Sequence, residues 1–372
     1  MIDNWDDIPT TKILHGDCMQ LLKTLPDNSI DAIVTDPPYG MSPDGIARTW
    51  ADIEEGRKLS GFMGKEWDAA VPCHNFFAEC LRVLKHGGHM IAFSSTRTVC
   101  ALGMAAQQGG FVIRDMIHWC YFSGFPKSHN LSTCIDGEKW AGFGTALKPA
   151  VEPALLLRKP LEKGLTIAQN VLKHGTGALN IDGCRFGYGD PCWVGPQENQ
   201  SGWMRSRPDS KGDFLALQKE NLFVGSDQGR WPANLYQCAK ASRSEREEGL
   251  DHLETTKGFE AVQRKEGSAG LNNPRAGAGR TANEVRNIHP TVKPIKLMRW
   301  CCRLIGGQKG SVILDPFTGS GTTGAAALLE GFDFVGMEIT PEYLPIIEGR
   351  INAARKQYKL ENAQLSLFED QS

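Results

Sequence analysis

Apolar and polar positions divide the chain into two regular stretches with an irregular one between them. From Lys12 to about Pro160, short apolar runs alternate with segments whose apolar residues recur every three or four positions. Lys12–His15 predicts a strand, Met19–Leu25 a helix stopped by Pro26-Asp27-Asn28, and Ile30–Val34 a second strand. A strand–helix–strand unit of this length fits a parallel sheet. Asn75–Lys85 predicts an amphipathic helix ended by His86-Gly87-Gly88, followed by a strand at Met90–Phe93. A helix over Thr98–Gln107, a strand over Phe111–Trp119 and a further strand at Pro153–Leu157 complete this stretch.

Regular patterning resumes at Pro294, which starts a helix running through Leu304. A strand at Ser311–Leu314, a small-residue helix at Ser320–Leu329, a strand at Phe332–Met337 and a helix from Pro341 to about Tyr358 follow. The expected architecture is α/β, with helices covering a mostly parallel sheet. Between about 165 and 287 the pattern is lost, and Gly, Asn, Ser and Arg become dense. Trp193, Trp203, Phe214, Phe223 and Trp231 are interspersed there. Lys257, Arg264, Lys265, Arg275, Arg280 and Arg286 stand against Glu260, Glu266 and Glu284, a local basic excess. Basic residues mixed with aromatics and glycines suit a nucleic-acid contact surface on an inserted region. Residues 41–70 are also irregular, and a loop of that length is commonly functional.

Composition narrows the picture only slightly. A chain of 372 residues with 41% hydrophobic residues can bury a sizeable core, and a formal charge of −2 excludes a uniformly basic coat. No apolar run reaches the length of a membrane span, and the acidic start Met1–Asp7 lacks a signal-peptide pattern, so a cytosolic protein is expected. Eleven cysteines form no Cys-x-x-Cys pair, which predicts buried thiols and no metal site.

Candidate chemistry lies where strands end. Thr35-Asp36-Pro37-Pro38-Tyr39-Gly40 follows an apolar strand with an acid, two prolines and an aromatic ring. The prolines stiffen the backbone and leave carbonyls free to accept, and Tyr39 offers a flat face at the rim. Such a cup suits a planar group bearing an –NH2. Asp315-Pro316-Phe317-Thr318-Gly319-Ser320-Gly321-Thr322-Thr323-Gly324 joins a strand to a helix, where glycines allow close approach to the backbone. Glu338 ends the next strand, where a carboxylate can accept from both hydroxyls of a ribose. Gly319–Gly324 formally matches the dinucleotide fingerprint, so a nicotinamide-dependent oxidoreductase is one reading. Asp-Pro-Phe before the first glycine, and only about fifty residues after it, favour a nucleoside ligand carrying a carboxylate, with S-adenosylmethionine the leading candidate. A non-catalytic nucleic-acid-binding module is the third reading.

Asp36-Pro37-Pro38-Tyr39 together with Asp315-Pro316-Phe317-Thr318-Gly319-Ser320-Gly321 resembles the DNA amino-methyltransferases that modify adenine N6 or cytosine N4. The order, catalytic motif first and cofactor motif last, is similar to the beta class, whose motif order is circularly permuted. Gly177–Gly183 and Gly229–Asn234 resemble phage and prophage members. The resemblance implies a Rossmann-like methyltransferase fold split into a catalytic half (1–164), a target-recognition insertion (165–287), a cofactor-binding half (288–358) and a C-terminal tail (359–372).

The resemblance also implies that Asp36 and the Pro37 carbonyl accept from the target amine, with Pro38 shaping the turn and Tyr39 stacking on a flipped base. Phe317, Gly319, Ser320 and Gly321 would form the methionine pocket of S-adenosylmethionine, with Asp315 near its amino group. Glu338 would hold the ribose and Asp17 the adenine amine. His289-Pro290-Thr291-Val292-Lys293-Pro294 resembles the family segment preceding the glycine loop, and Lys293 or Thr291 would meet the cofactor carboxylate. Double-stranded DNA is the implied partner, in a restriction–modification setting, and a homodimer is allowed. Asp at the head of the catalytic motif favours adenine over cytosine.

Overall fold

Strand residues here alternate between two cores, which requires helices on both faces of one sheet. In this computed structural model the described residues are 8–40, 48–55, 68–123, 128–133, 139–187, 189–192, 229–258 and 284–369. Ala32, Val34, Ile91, Phe93, Ala154, Leu156 and Ile313 face one core; Ile33, Met90, Ala92, Leu155, Leu157 and Leu314 face the other. That period of two on strands buried on both faces explains their near-continuous apolar runs. The first core is closed by helices Ile295–Ile305, Thr322–Leu329 and Leu344–Glu369, and the second by Cys18–Leu22, His74–Val83 and Val99–Gln108.

The strands are β1 (Thr11–His15), β2 (Ile30–Thr35), β3 (Leu84–Phe93), β4 (Val112–Cys120), β5 (Val151–Arg158), β6 (Leu235–Gln237), β7 (Thr256–Lys257), β8 (Glu284–Val285), β9 (Val312–Asp315) and β10 (Asp333–Glu338). Eight of them form one sheet in the order β1-β10-β9-β2-β3-β5-β4-β6, while β7 and β8 pair separately. Only β5 runs against its neighbours in the large sheet. Strands from opposite ends of the sequence thus become neighbours: β2 pairs with β9 through Ala32↔Ile313 and Ile33↔Leu314.

Several elements differ from the sequence pattern. The helix expected over Asn75–Lys85 ends at Val83, and β3 begins at Leu84, running through His86-Gly87-Gly88 instead of being broken there. Gly87 adopts φ +80°, and Asn170 donates to the His86 carbonyl at 2.8 Å and the Thr176 carbonyl at 2.8 Å. A Cβ on Gly87 would meet that Asn170 amide at 2.6 Å, so glycine serves a strand irregularity rather than a helix stop. The first helix is shorter than expected, Cys18–Leu22, and the last is longer, Leu344–Glu369 after a turn of 3-10 helix at Pro341–Tyr343.

Regular structure also appears beyond residue 165. Ile167–His174 is a helix with a Thr166/Gln169 capping box and a left-handed Gly175 at its end. Strand β6 extends the main sheet beside β4, and Phe186, Tyr236 and Trp300 form an aromatic group, with Tyr236 and Trp300 centroids 5.0 Å apart. Trp193, Trp203, Phe214, Phe223, Arg264, Lys265, Arg275 and Arg280 lie outside the described residues. No helix among the described residues is long and apolar enough to cross a membrane. Described cysteines such as Cys80, Cys301 and Cys302 are buried free thiols, and burial pushes their pKa values up.

Candidate active site

Parallel strands place their carboxyl ends along one edge of the sheet, where ligands of open α/β sheets bind. β2 and β9 are adjacent there, and each ends in Asp-Pro. The Thr35 hydroxyl donates to Asp315 Oδ1 at 2.6 Å, joining the two strand ends. Asp315 also accepts from the Phe317 N–H at 3.0 Å and from Thr323. Full burial pushes its carboxyl up to about 6 against the opposing pull of these hydrogen bonds.

The glycine loop is shaped by backbone demands. Gly319 has φ +56° and Gly321 φ +79°, both in the left-handed region. A Cβ on Gly319 would sit 2.9 Å from His289 Nε2. Glu338 clamps the loop: Oε2 accepts from the Gly319 N–H at 2.8 Å and Oε1 from the Thr340 N–H at 2.8 Å. Burial raises the Glu338 carboxyl, and those backbone donors pull against it. The helix after Gly321 starts without a side-chain cap. Phe317 packs edge-on to Trp50, with centroids 6.0 Å apart, and tilted against Phe76. Asp17 caps helix Cys18–Leu22 by accepting from the Gln20 N–H at 3.1 Å, while the Gly16 N–H donates to the Glu338 carbonyl. Asp17 and Glu338 therefore stand at neighbouring strand ends.

Arg350 escaped the sequence reading. Its guanidinium is buried and donates to the Ser320 carbonyl at 2.9 Å, Ser320 Oγ at 3.0 Å and Thr322 Oγ1 at 2.8 Å. Burial lowers it to about 10. The signal was an arginine among Ile346, Ile347, Ile351 and Ala354 on the apolar face of the last helix. His289, likewise buried, is pulled down to about 3 by desolvation and hydrogen-bonds the Thr291 carbonyl through Nδ1.

Lys293, expected alongside Thr291 as a partner for the cofactor carboxylate, has its ammonium at the Asp36 motif: it donates to Asp36 Oδ2 at 2.5 Å and the Tyr39 hydroxyl at 3.0 Å, and lies 3.5 Å from Glu152 Oε2. Burial alone would lower this ammonium, but the Asp36 and Glu152 carboxylates hold it above the usual lysine value. Tyr39 is partly buried instead of lying flat at the rim. Its N–H donates to Asp68 Oδ1 at 2.7 Å and its hydroxyl to Glu152 Oε2 at 3.2 Å. Burial and the two nearby carboxylates raise the phenol well above its ordinary pKa. Trp119, Tyr121 and Lys240, with Lys240 Nζ 4.1 Å from the Tyr121 ring centroid, line the same space. Asp36 Oδ1 is buried and has no hydrogen-bond partner among the described residues. A bare buried carboxylate oxygen is costly unless something donates to it.

One cleft of about 1450 Å³ is lined by Asp17, Phe317, Gly319, Ser320 and Glu338 at one end, and by Asp36, Pro37, Pro38, Tyr39, Glu152 and Lys293 at the other. Asp315 lies between them on its wall. The arrangement brings a pocket for a nucleoside-like molecule next to an acceptor for an amine.

The family model described as DNA methylase, for the N6/N4 methyltransferases, matches residues 30–349. The chain is 25% identical over 357 residues to the type II methyltransferase M.HinfI of Haemophilus influenzae, covering 94% of this chain and 70% of that one. It is 24% identical to M.HindIII of the same species, over 88% and 90% of the two chains. The DNA adenine methyltransferase YhdJ of Escherichia coli is 25% identical, over 92% and 83%. Among solved structures, the M1.HpyAVI–SAM complex matches at 17% identity and TM-score 0.45, over 92% and 100% of the chains. The cytosine-N4-specific PvuII DNA methyltransferase matches at 15% and 0.46, over 95% and 96%. With its motifs on adjacent strands and the family model spanning most of its length, the chain belongs to the DNA methylases of the N6/N4 family, the S-adenosylmethionine-dependent DNA amino-methyltransferases.

Proposed function

We propose that this chain methylates the exocyclic N6 of adenine in double-stranded DNA. The observation that carries the reading is Asp36 Oδ1, a buried acceptor without a partner among the described residues, on a side chain at the end of β2 that lines the same cleft as the glycine loop. An amine N–H is the donor it lacks. Hydrogen bonds donated by the amine to Asp36 Oδ1 and to the Pro37 carbonyl draw the nitrogen lone pair out of conjugation with the ring and aim it across the cleft. Tyr39, fixed through its N–H and hydroxyl, presents its ring to a base extruded from the duplex, a step that costs a few kcal/mol.

The residues at the other end fit S-adenosylmethionine. Glu338, oriented by two backbone N–H groups, would accept from the ribose hydroxyls, and Asp17 from the adenine amine. Phe317, Gly319, Ser320 and Gly321 would wrap the methionine end, with Asp315 near its amino group. When bound, the cofactor supplies a methyl group already activated on a sulfonium sulfur. The chain's task is then to align the nitrogen in line with that group and to keep water away, without a covalent enzyme intermediate. We assign residues 1–164 and 288–358 to the methyltransferase body, 165–287 to target recognition and 359–372 to a tail.

Adenine is favoured by the Asp that heads the catalytic motif, and one relative, 25% identical, is named a DNA adenine methyltransferase. The test is transfer of isotope-labelled methyl from S-adenosylmethionine to unmethylated genomic DNA, digested to nucleosides and read by mass spectrometry, with Asp36→Ala as control. Labelled N6-methyladenine, cut by about a hundredfold or more in the control, is the expected result. Labelled N4-methylcytosine would overturn the choice of base, and no label in either base would overturn the reaction.

A further inference from the structure

Glu152 and Lys293 meet within the cleft, beside Asp36 and Tyr39. An ammonium has three N–H groups. Those of Lys293 have three acceptors around them: Asp36 Oδ2, the Tyr39 hydroxyl and Glu152 Oε2. The side chain is enclosed, with its Nζ 5.2 Å from the Tyr39 and Phe93 ring centroids and 5.9 Å from that of Trp119. Its donors are thus already engaged on the catalytic side. Glu152 reaches this group from β5, the one reversed strand of the large sheet, where it stands opposite Trp119 of β4. It accepts from Tyr39 and is shared with Lys240, whose Nζ lies 3.5 Å from Oε1. Two cations and two carboxylates alternate, so the cluster balances its own charge.

We propose that Lys293 and Glu152 are positioning residues for the amine acceptor: Lys293 holds Asp36 by Oδ2 so that Oδ1 faces the target nitrogen, and Glu152 anchors Lys293 and Tyr39 in that arrangement. The inference rests on the amine-methylation reading, and it moves Lys293 from the cofactor to the acceptor side of the reaction. A carboxylate gripped through one oxygen has lost the rotation that would otherwise exchange its two oxygens. Glu152 also keeps Lys293 from closing over Asp36 in a two-membered pair, because the ammonium is drawn toward β5 at the same time.

The experiment compares wild type, Lys293→Met and Glu152→Gln by single-turnover methyl transfer to DNA at saturating cofactor, and by calorimetric titration with S-adenosylmethionine. Lys293→Met should slow transfer between about tenfold and a hundredfold, as misplacing a reacting group does, with cofactor affinity within about twofold of wild type. Glu152→Gln should show the same split with a smaller loss of rate. Weakened cofactor binding in Lys293→Met at an unchanged saturated rate would overturn the proposal, as would unchanged rates in both variants. A melting-temperature cycle is independent of activity: Lys293→Met/Asp36→Asn should melt above Lys293→Met alone, because the second change removes the carboxylate left without its cation. Additive melting shifts would overturn the pairing. Absence of any methyl transfer by wild type would instead sink the amine-methylation reading, with the melting cycle still deciding whether the two residues are coupled.

Discussion

Asp36 and Asp315 are the same residue type before the same proline, on adjacent strands, yet their surroundings are opposite. Asp315 is saturated: Thr35, Thr323 and the Phe317 N–H donate to it, and burial raises its pKa to about 6. Asp36 is gripped by one oxygen and, among the described residues, has no donor at the other. One acid has its acceptors filled by its neighbours, and the other keeps a buried oxygen without such a donor. The contrast shows how two similar strand ends can be left with a filled and an unfilled acceptor by what donates to each. It also separates two means of construction. The glycine-loop end is made by backbone conformation and backbone donors, whereas the catalytic end is made by side-chain charges drawn from distant parts of the chain.

The sharpest way to break this division is Asp36→Ala. Methyl transfer should fall about a hundredfold to a thousandfold, as when a preorganised partner of the reacting group is removed, while cofactor affinity changes less than about threefold. Calorimetry showing lost cofactor binding would mean that the two ends are not separable. Gly319→Ala tests the other end. A Cβ there needs a left-handed backbone and meets His289 at 2.9 Å, so cofactor affinity should drop roughly tenfold. Near-normal binding would show that the loop is softer than its geometry.

Arg350→Met probes the buried support of the same loop. Losing the donors to Ser320 and Thr322 should lower the melting temperature by roughly 3–6 °C and weaken cofactor binding. A melting shift with normal binding would confine Arg350 to holding the last helix. The smallest effect concerns Asp315. Its folded pKa is raised from 3.8 to about 6, so the stability it contributes is fully present below about pH 4 and lost as pH rises through about 6. Asp315→Asn, which can still accept from Thr35 and Phe317, should therefore gain on wild type as pH rises from 4 to 8. Equal melting differences at pH 4 and pH 8 would refute the burial argument.

The same contrast governs what the sequence disclosed. Asp36, Asp315 and Glu338 were legible because each closes an apolar run, and the strand pattern alone puts them on one edge of a sheet. Gly319 and Gly321 were legible because positive φ leaves its mark as glycine. Lys293 was legible as part of a motif, but its ion pair with Asp36 was not, since the two stand 257 residues apart in the chain. Glu152 gave no local sign beyond a polar residue at the start of a strand. The capping box at Thr166–Gln169 was visible, but the composition of the surrounding stretch masked it. Strand β6 has three residues and no alternation long enough to register.

The pairing of β2 with β9 acts as a ruler. Ile33 stands opposite Leu314, so Asp36 lies two positions further along the sheet than Asp315. At about 3.3 Å per residue, the Asp36 carboxylate, proposed above as the amine acceptor, is raised roughly 6.6 Å above Asp315 in the wall of the cleft, about the height of a molecular layer. Deleting one residue from β2 would turn the carboxylate to the opposite face of the sheet. Deleting two would restore the face and lower the acceptor into the space the methyl donor needs.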